Sequence, residues 1–116
     1  MTAYAIAIVD DIVDLELYLE WAKRIVPTLH SSVKQLARGC TVDLPSLDGK
    51  EIPPSGRMAP VDGDPTIPKR IAIMEFRSYE DAMGWYRSKE FQELKAFRGD
   101  AAHMRVLVVE GVPKTA

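Results

Sequence analysis

Ile71-Ala72-Ile73-Met74-Glu75-Phe76, then Ser78-Tyr79-Glu80-Asp81-Ala82-Met83-Gly84-Trp85-Tyr86, then Met104-Arg105-Val106-Leu107-Val108-Val109-Glu110: the run from Ile71 to Val112 decides the fold. The first piece, with Lys69 and Arg70 before it, is an apolar strand. Ser78, with Asp81 three residues on, has the pattern of a helix N-cap, and Ala82, Trp85 and Tyr86 then fall on one side of that helix. Gly84 inside it is a mild cost that a close helix–sheet approach would explain. Ser88 caps a further helical turn or two, with Phe91, Leu94 and Phe97 as its apolar stripe. Met104–Glu110 is a closing strand.

Working outward, Tyr4–Val9 is a short apolar strand expected to stop at Asp10-Asp11. Asp14 is placed to cap a helix, on which Tyr18, Ala22, Ile25 and Leu29 recur at spacings of three and four. Pro27 removes a helical hydrogen bond and predicts a kink or an end near Val26. A second strand follows from about Val33 to Val42. Leu44–Pro68 differs in composition, holding six of the eight prolines and three of the seven glycines. It reads as a long loop, an insertion in a single domain spanning 1–116, and loops of this length commonly serve as lids or binding segments.

The order β-α-β-β-α-β is the split βαβ arrangement, an α+β, ferredoxin-like fold. It predicts a four-stranded antiparallel sheet in the order 4-1-3-2 with both helices on one face. Such a sheet should alternate apolar with polar residues. Here Ile6 and Ile8 oppose Ala5, Ala7 and Val9, Ile71 and Ile73 oppose Ala72, Met74 and Phe76, and Val106 and Val108 oppose Leu107 and Val109. Both faces are apolar, and the helices cover one. A second copy of the sheet would cover the other, so a homodimer through the sheet face is expected.

The totals set outer bounds. The 116 residues, 47% hydrophobic and 28% charged, suit one globular domain. A net charge of −2 and a pI near 5.7 give no electrostatic reason to expect nucleic acid or an acidic membrane as partner. The lone Cys40 cannot form an intrachain disulfide, and no apolar run is long enough to span a bilayer. A cytoplasmic location is the expectation.

Pro68-Lys69-Arg70, Glu75-Phe76, Ser78, Ala82, Trp85-Tyr86, Ser88, Arg98 and Val109-Glu110-Gly111, together with Tyr18, Pro27 and Arg38-Gly39, resemble a small bacterial family, domain of unknown function 1330, within the dimeric α+β-barrel superfamily. The resemblance implies a ferredoxin-like subunit and a barrel-like dimer, and brings no established activity. The wider superfamily includes cofactor-independent monooxygenases, isomerases and haem-active proteins. The departures from the family pattern (Ser31-Ser32, Cys40, Arg77, Phe91 and the long loop) lie mostly in turns and loops.

Candidate site residues follow from topology. His103 near Asp10 and Asp14 is the acid–base candidate, against an exposed histidine in a turn and a helix cap. Arg38 and Arg98 either clamp a carboxylate or phosphate, or pair with Glu75 and Glu110 on the sheet. Trp85, Tyr86 and Tyr18, with Trp21 beside them, either line a ligand pocket between helices and sheet or form core. His30 and His103 should lie at opposite ends of the subunit, which disfavours a shared metal site, and no metal-ligand spacing occurs. The expected function is small-molecule binding or cofactor-free catalysis in the helix–sheet cleft. One alternative is a non-catalytic dimeric module presenting loop residues Ile52, Met58 and Val61. Another is a haem binder with His30 or His103 as axial ligand.

Overall fold

The computed structural model describes residues 1–29, 32–41 and 56–113. Its elements are β1 (Ala3–Ile12), α1 (Leu15–Ile25) with a 3₁₀ turn (Val26–Thr28), β2 (Lys34–Cys40), β3 (Arg70–Phe76), α2 (Tyr79–Arg87), α3 (Lys89–Arg98) and β4 (Ala102–Glu110). The four strands form one antiparallel sheet in the order β2-β3-β1-β4. This is the expected ferredoxin-like α+β arrangement.

Local chemistry sets the helix ends. Asp14 Oδ1 accepts from the Leu17 amide at 3.1 Å and starts α1. α1 stops at Ile25, one residue before Val26, and Pro27 sits in the 3₁₀ turn, where its missing N–H costs little. Ser78 Oγ accepts from the Asp81 amide at 3.0 Å, and Ser88 Oγ from the Phe91 amide at 3.1 Å. Ser88 opens a full ten-residue helix, longer than the turn or two expected. Its own hydroxyl donates to the Trp85 carbonyl at 2.7 Å, closing α2 at the same residue.

Two strands differ from the sequence expectation. β1 continues through Asp10 and Asp11 to Ile12, with an irregularity between Val9 and Asp11, because Asp11 and Ile12 still find His103 and Ala102 opposite them on β4. β4 accordingly starts at Ala102, which puts His103 in a strand rather than a turn. Gly84 is exposed with open space around it, so a close helix–sheet approach is not what it serves.

The helices lie on the sheet face that carries Ala3, Ala5, Val9, Ala72 and Phe76, all buried. Small side chains there let the helices come close. One half of the core gathers Val9, Tyr18, Trp21, Ala22, Ala101 and Ala102. The other gathers Ala5, Phe76, Ala82, Trp85 and Phe91. The opposite face carries Tyr4, Ile6 and Ile8 beside Ile71 and Ile73 on one side and Leu107 and Val109 on the other. Leu107 and Val109 stand 50% and 49% exposed. That face is largely apolar, with Lys34, Glu75 and Arg105 also on it, and has no helix over it.

Candidate functional site

β1 and β2 run toward the same end of the sheet, and β3 and β4 start there: Ile12 faces Ala102, and Cys40 and Val9 both face Arg70. α1 begins at this end and α3 finishes at it. The Ala101 carbonyl, between α3 and β4, accepts from the amides of Val13 (2.7 Å) and Asp14 (3.0 Å), tying the connections together. Arg38, Arg70, Arg98, Tyr18 and Trp21 therefore share one end of the helix–sheet layer.

Their contacts run in a chain. Arg70 Nη1 donates to the Tyr18 hydroxyl at 3.0 Å. The Tyr18 ring lies 5.8 Å from that of Trp21, and Arg98 Cζ sits 4.8 Å from the Trp21 ring centroid. Arg98 is only 9% exposed and Tyr18 1%. Burial pulls the Arg98 guanidinium below its ordinary range, with the Tyr18 and Tyr86 phenols acting in the opposite direction. Arg38 lies opposite Ala72 in the register, on the helix-facing side of β2, and its Nε is buried.

The expected pairing of Arg38 and Arg98 with Glu75 and Glu110 does not occur. Among the described residues the ion pairs are Arg24–Glu20, Arg77–Asp81, Lys89–Glu93 and Arg105–Asp10. The register gives the reason for Glu75: it lies opposite Tyr4 and Lys34, on the uncovered face, away from both arginines. Glu110 is exposed at the far end of β4, level with Ala3.

The remaining candidates take separate places. Trp85 packs against Phe76 and Phe91, with ring centroids at 5.5 and 4.7 Å, and its Nε1 donates to Thr28 Oγ1 at 2.9 Å. Its two ring partners are core residues, and its N–H is already bonded. Tyr86 packs at a tilt on Phe91, ring centroids 5.0 Å apart, and accepts from Lys95 Nζ at 3.1 Å on the surface. His103, Asp10 and Asp14 are exposed. Asp10 takes Arg105 Nε at 3.1 Å, and Asp14 caps α1, so neither carboxylate engages the imidazole. His30 and Ile52 lie outside the described residues. Among the described residues no group of three or more histidine, cysteine, aspartate or glutamate side chains is arranged to hold a metal ion.

Two open hollows are present, the first lined in part by Arg38 and neither by Tyr18, Trp21, Arg70 or Arg98. One, of about 470 Å³, follows the outer edge of β2 between Gln35–Gly39 and Gly56–Met58. There Gly56 bridges to Gly39 and its amide donates to the Arg38 carbonyl at 2.7 Å. The other, of about 520 Å³, runs between the end of α1 and α3, past Pro27, Thr28, Leu94 and Phe97. Arg70 and Trp21 are the functional candidates sequence reasoning passed over or left in second place. For Arg70 the signal was present: alternation along β3 puts it on the same side as Ala72, Met74 and Phe76.

Residues 44–112, more than half of the chain, match the family described as Domain of unknown function (DUF1330). The chain belongs to this family. Among solved structures it is similar to the RPA0582 protein of unknown function from Rhodopseudomonas palustris, with a TM-score of 0.60 at 14% identity, over 97% of this chain and 83% of that one. The methylated RPA0582 protein gives a TM-score of 0.61 at 12% identity, over 99% and 84% of the respective chains. At such identities the likeness of this DUF1330 chain to RPA0582 is one of fold. No curated protein matches it, and among the described residues no helix is long and apolar enough to cross a membrane.

Proposed function

We propose that this DUF1330 protein is a homodimeric small-molecule binder. The copies join through the uncovered sheet face, and each holds its ligand beside Tyr18 and Arg98, at the end of the helix–sheet layer that Arg38 shares. The observation that supports the site is Arg98: a charged side chain nine-tenths buried, with no carboxylate paired to it among the described residues. An uncompensated buried charge costs several kcal/mol, and a structure that keeps one commonly uses it for function. The dimer is supported by the second face of the sheet, where Ile6, Ile8, Ile71 and Ile73 lie beside the half-exposed Leu107 and Val109. The lone cysteine needs no oxidising compartment, which supports a cytoplasmic setting.

The ligand position moves away from Trp85, whose packing supports a core role. The non-catalytic module remains the second reading, favoured by Val61, which is 92% exposed on the described part of the long loop. Met58, by contrast, is half-buried over Gly39.

Native mass spectrometry of the protein as purified tests both halves. We expect a dimer, and a discrete extra mass when ligand is retained. Leu107→Glu, at a position already half exposed in the single chain, should shift the mass to monomer without unfolding it. A monomeric wild-type protein at micromolar concentration would rule out the sheet-face dimer.

A further inference from the structure

Three side-chain nitrogens among the described residues are buried without a hydrogen-bond partner: Trp21 Nε1, Arg38 Nε and Arg98 Nε. All three are donors, and among the described residues no buried side-chain acceptor is left unpaired beside them. Trp21 and Arg98 touch, at 4.8 Å. Arg38 lies on the same side and at the same end of the sheet as Arg70, two residue pairs away in the register. Tyr18 adds a further donor, since its hydroxyl accepts from Arg70 and donates to no described group. Stacking on Trp21 offsets part of the cost of burying Arg98, but it satisfies none of the guanidinium N–H groups.

Native proteins leave few buried donors unpaired, and each such group calls for an explanation. Here one explanation covers them all. We infer that this end of the helix–sheet layer binds a small oxyanion, a carboxylate or phosphate group, with Arg98 and Trp21 as inner donors and Arg38, Arg70 and Tyr18 around them. The inference rests on the small-molecule reading above and names its ligand class.

A neutral ligand would leave three guanidinium groups without countercharge, whereas an oxyanion accepts from all of these donors and supplies it. The guanidinium fork suits the planar carboxylate and the tetrahedral phosphate alike. The ligand is small because Arg98 and Trp21 are 9% and 6% exposed, burial that admits at most a head group and no polymer.

The test uses ¹H–¹⁵N spectra of the side-chain Nε–H signals of the intact wild-type protein. Inorganic phosphate, benzoate and uncharged benzamide are titrated separately at matched ionic strength. The Trp21 and Arg98 signals should move saturably with phosphate or benzoate. The Trp85 indole N–H, already bonded to Thr28, should stay still as an internal control. A response to phosphate alone assigns a phosphate ligand, and one to benzoate alone a carboxylate. Arg98→Gln and the half-buried Arg38→Gln should each weaken binding about tenfold to a hundredfold. Arg38→Gln and the wild-type spectra carry the test if Arg98→Gln does not fold. Unchanged affinity in both variants would overturn the assignment. Benzamide moving these signals while both anions leave them still would overturn the oxyanion but keep the small-molecule reading. Silence toward all three at millimolar concentration overturns the oxyanion site; the small-molecule reading then falls too if the purified protein also carries no extra mass.

Discussion

Arg98 brings a full charge into a position where a neutral chain of the same length would avoid the desolvation cost. The guanidinium remains protonated at neutral pH despite the downward pull of burial. Its stacking on Trp21 is worth about 0.5–2 kcal/mol, against a desolvation penalty of several kcal/mol. Arg98→Met keeps the unbranched stem and gives up no ion pair, so chemical denaturation should show stability unchanged or raised. A loss above about 2 kcal/mol, typical of a broken buried interaction, would mean the charge is structurally satisfied. Tyr86 offers a second test at this scale. Lys95 donates to its hydroxyl at 3.1 Å and lies 5.5 Å from its ring centre, which lowers the phenol below its ordinary value of 10.0. Because the folded value is the depressed one, the contact stabilises the fold fully above pH 10, and that contribution is lost as pH falls through the lowered value. Phenolate absorbance should therefore show one tyrosine ionising ahead of the others, and Lys95→Gln should return it to the group. Four tyrosines ionising together in the wild-type protein would contradict this.

At the scale of the element, the same substitution should act with opposite sign in two places. Gly84 is an exposed helical glycine with nothing near an added methyl group, so Gly84→Ala should stabilise by about 0.5–1 kcal/mol. Gly39 lies under Met58, and an added methyl group would fall on the methionine Cγ and Sδ. Gly39→Ala should destabilise by about 1–3 kcal/mol, or displace the Gly56–Met58 segment from β2. Thermal denaturation of both variants checks the pair, and equal signs would refute it. The elements were largely legible because their signals are local: Asp14, Ser78 and Ser88 each cap the helix that follows, and Pro27 ends α1. What was not legible was register. β1 continues through Asp10 and Asp11 because β4 offers partners, which no residue in β1 announces. The irregularity between Gln35 and Ala37 shifts the parity of β2 against β3. Without it in view, Arg38 and Glu75 could be assigned to one face, and the structure puts them on opposite faces. The candidate site was half visible for the same reason. Arg38, Arg98 and Tyr18 stood out as residues, but their meeting with Arg70 and Trp21 depends on which ends of four elements come together.

The whole molecule is a sheet with helices on one side and an apolar surface on the other, and its interior is divided. Trp21 belongs to one buried group and Trp85 to the other. Ile25, at the last turn of α1, packs against both. Each half thus contains its own fluorophore, and one aliphatic side chain spans the division. Cooperative unfolding of a small domain requires that no part melt alone, and in this protein Ile25 shares that requirement with β1, α3 and β4, whose residues enter both groups. In single-tryptophan variants, Trp21→Phe and Trp85→Phe, the two fluorescence transitions should coincide. Adding Ile25→Ala, at a cost toward the lower end of about 2–5 kcal/mol, should draw them apart; transitions already separate with Ile25 intact would locate the coupling elsewhere. A methyl-bearing residue at a helix end would then help decide whether the chain melts as one body or as two.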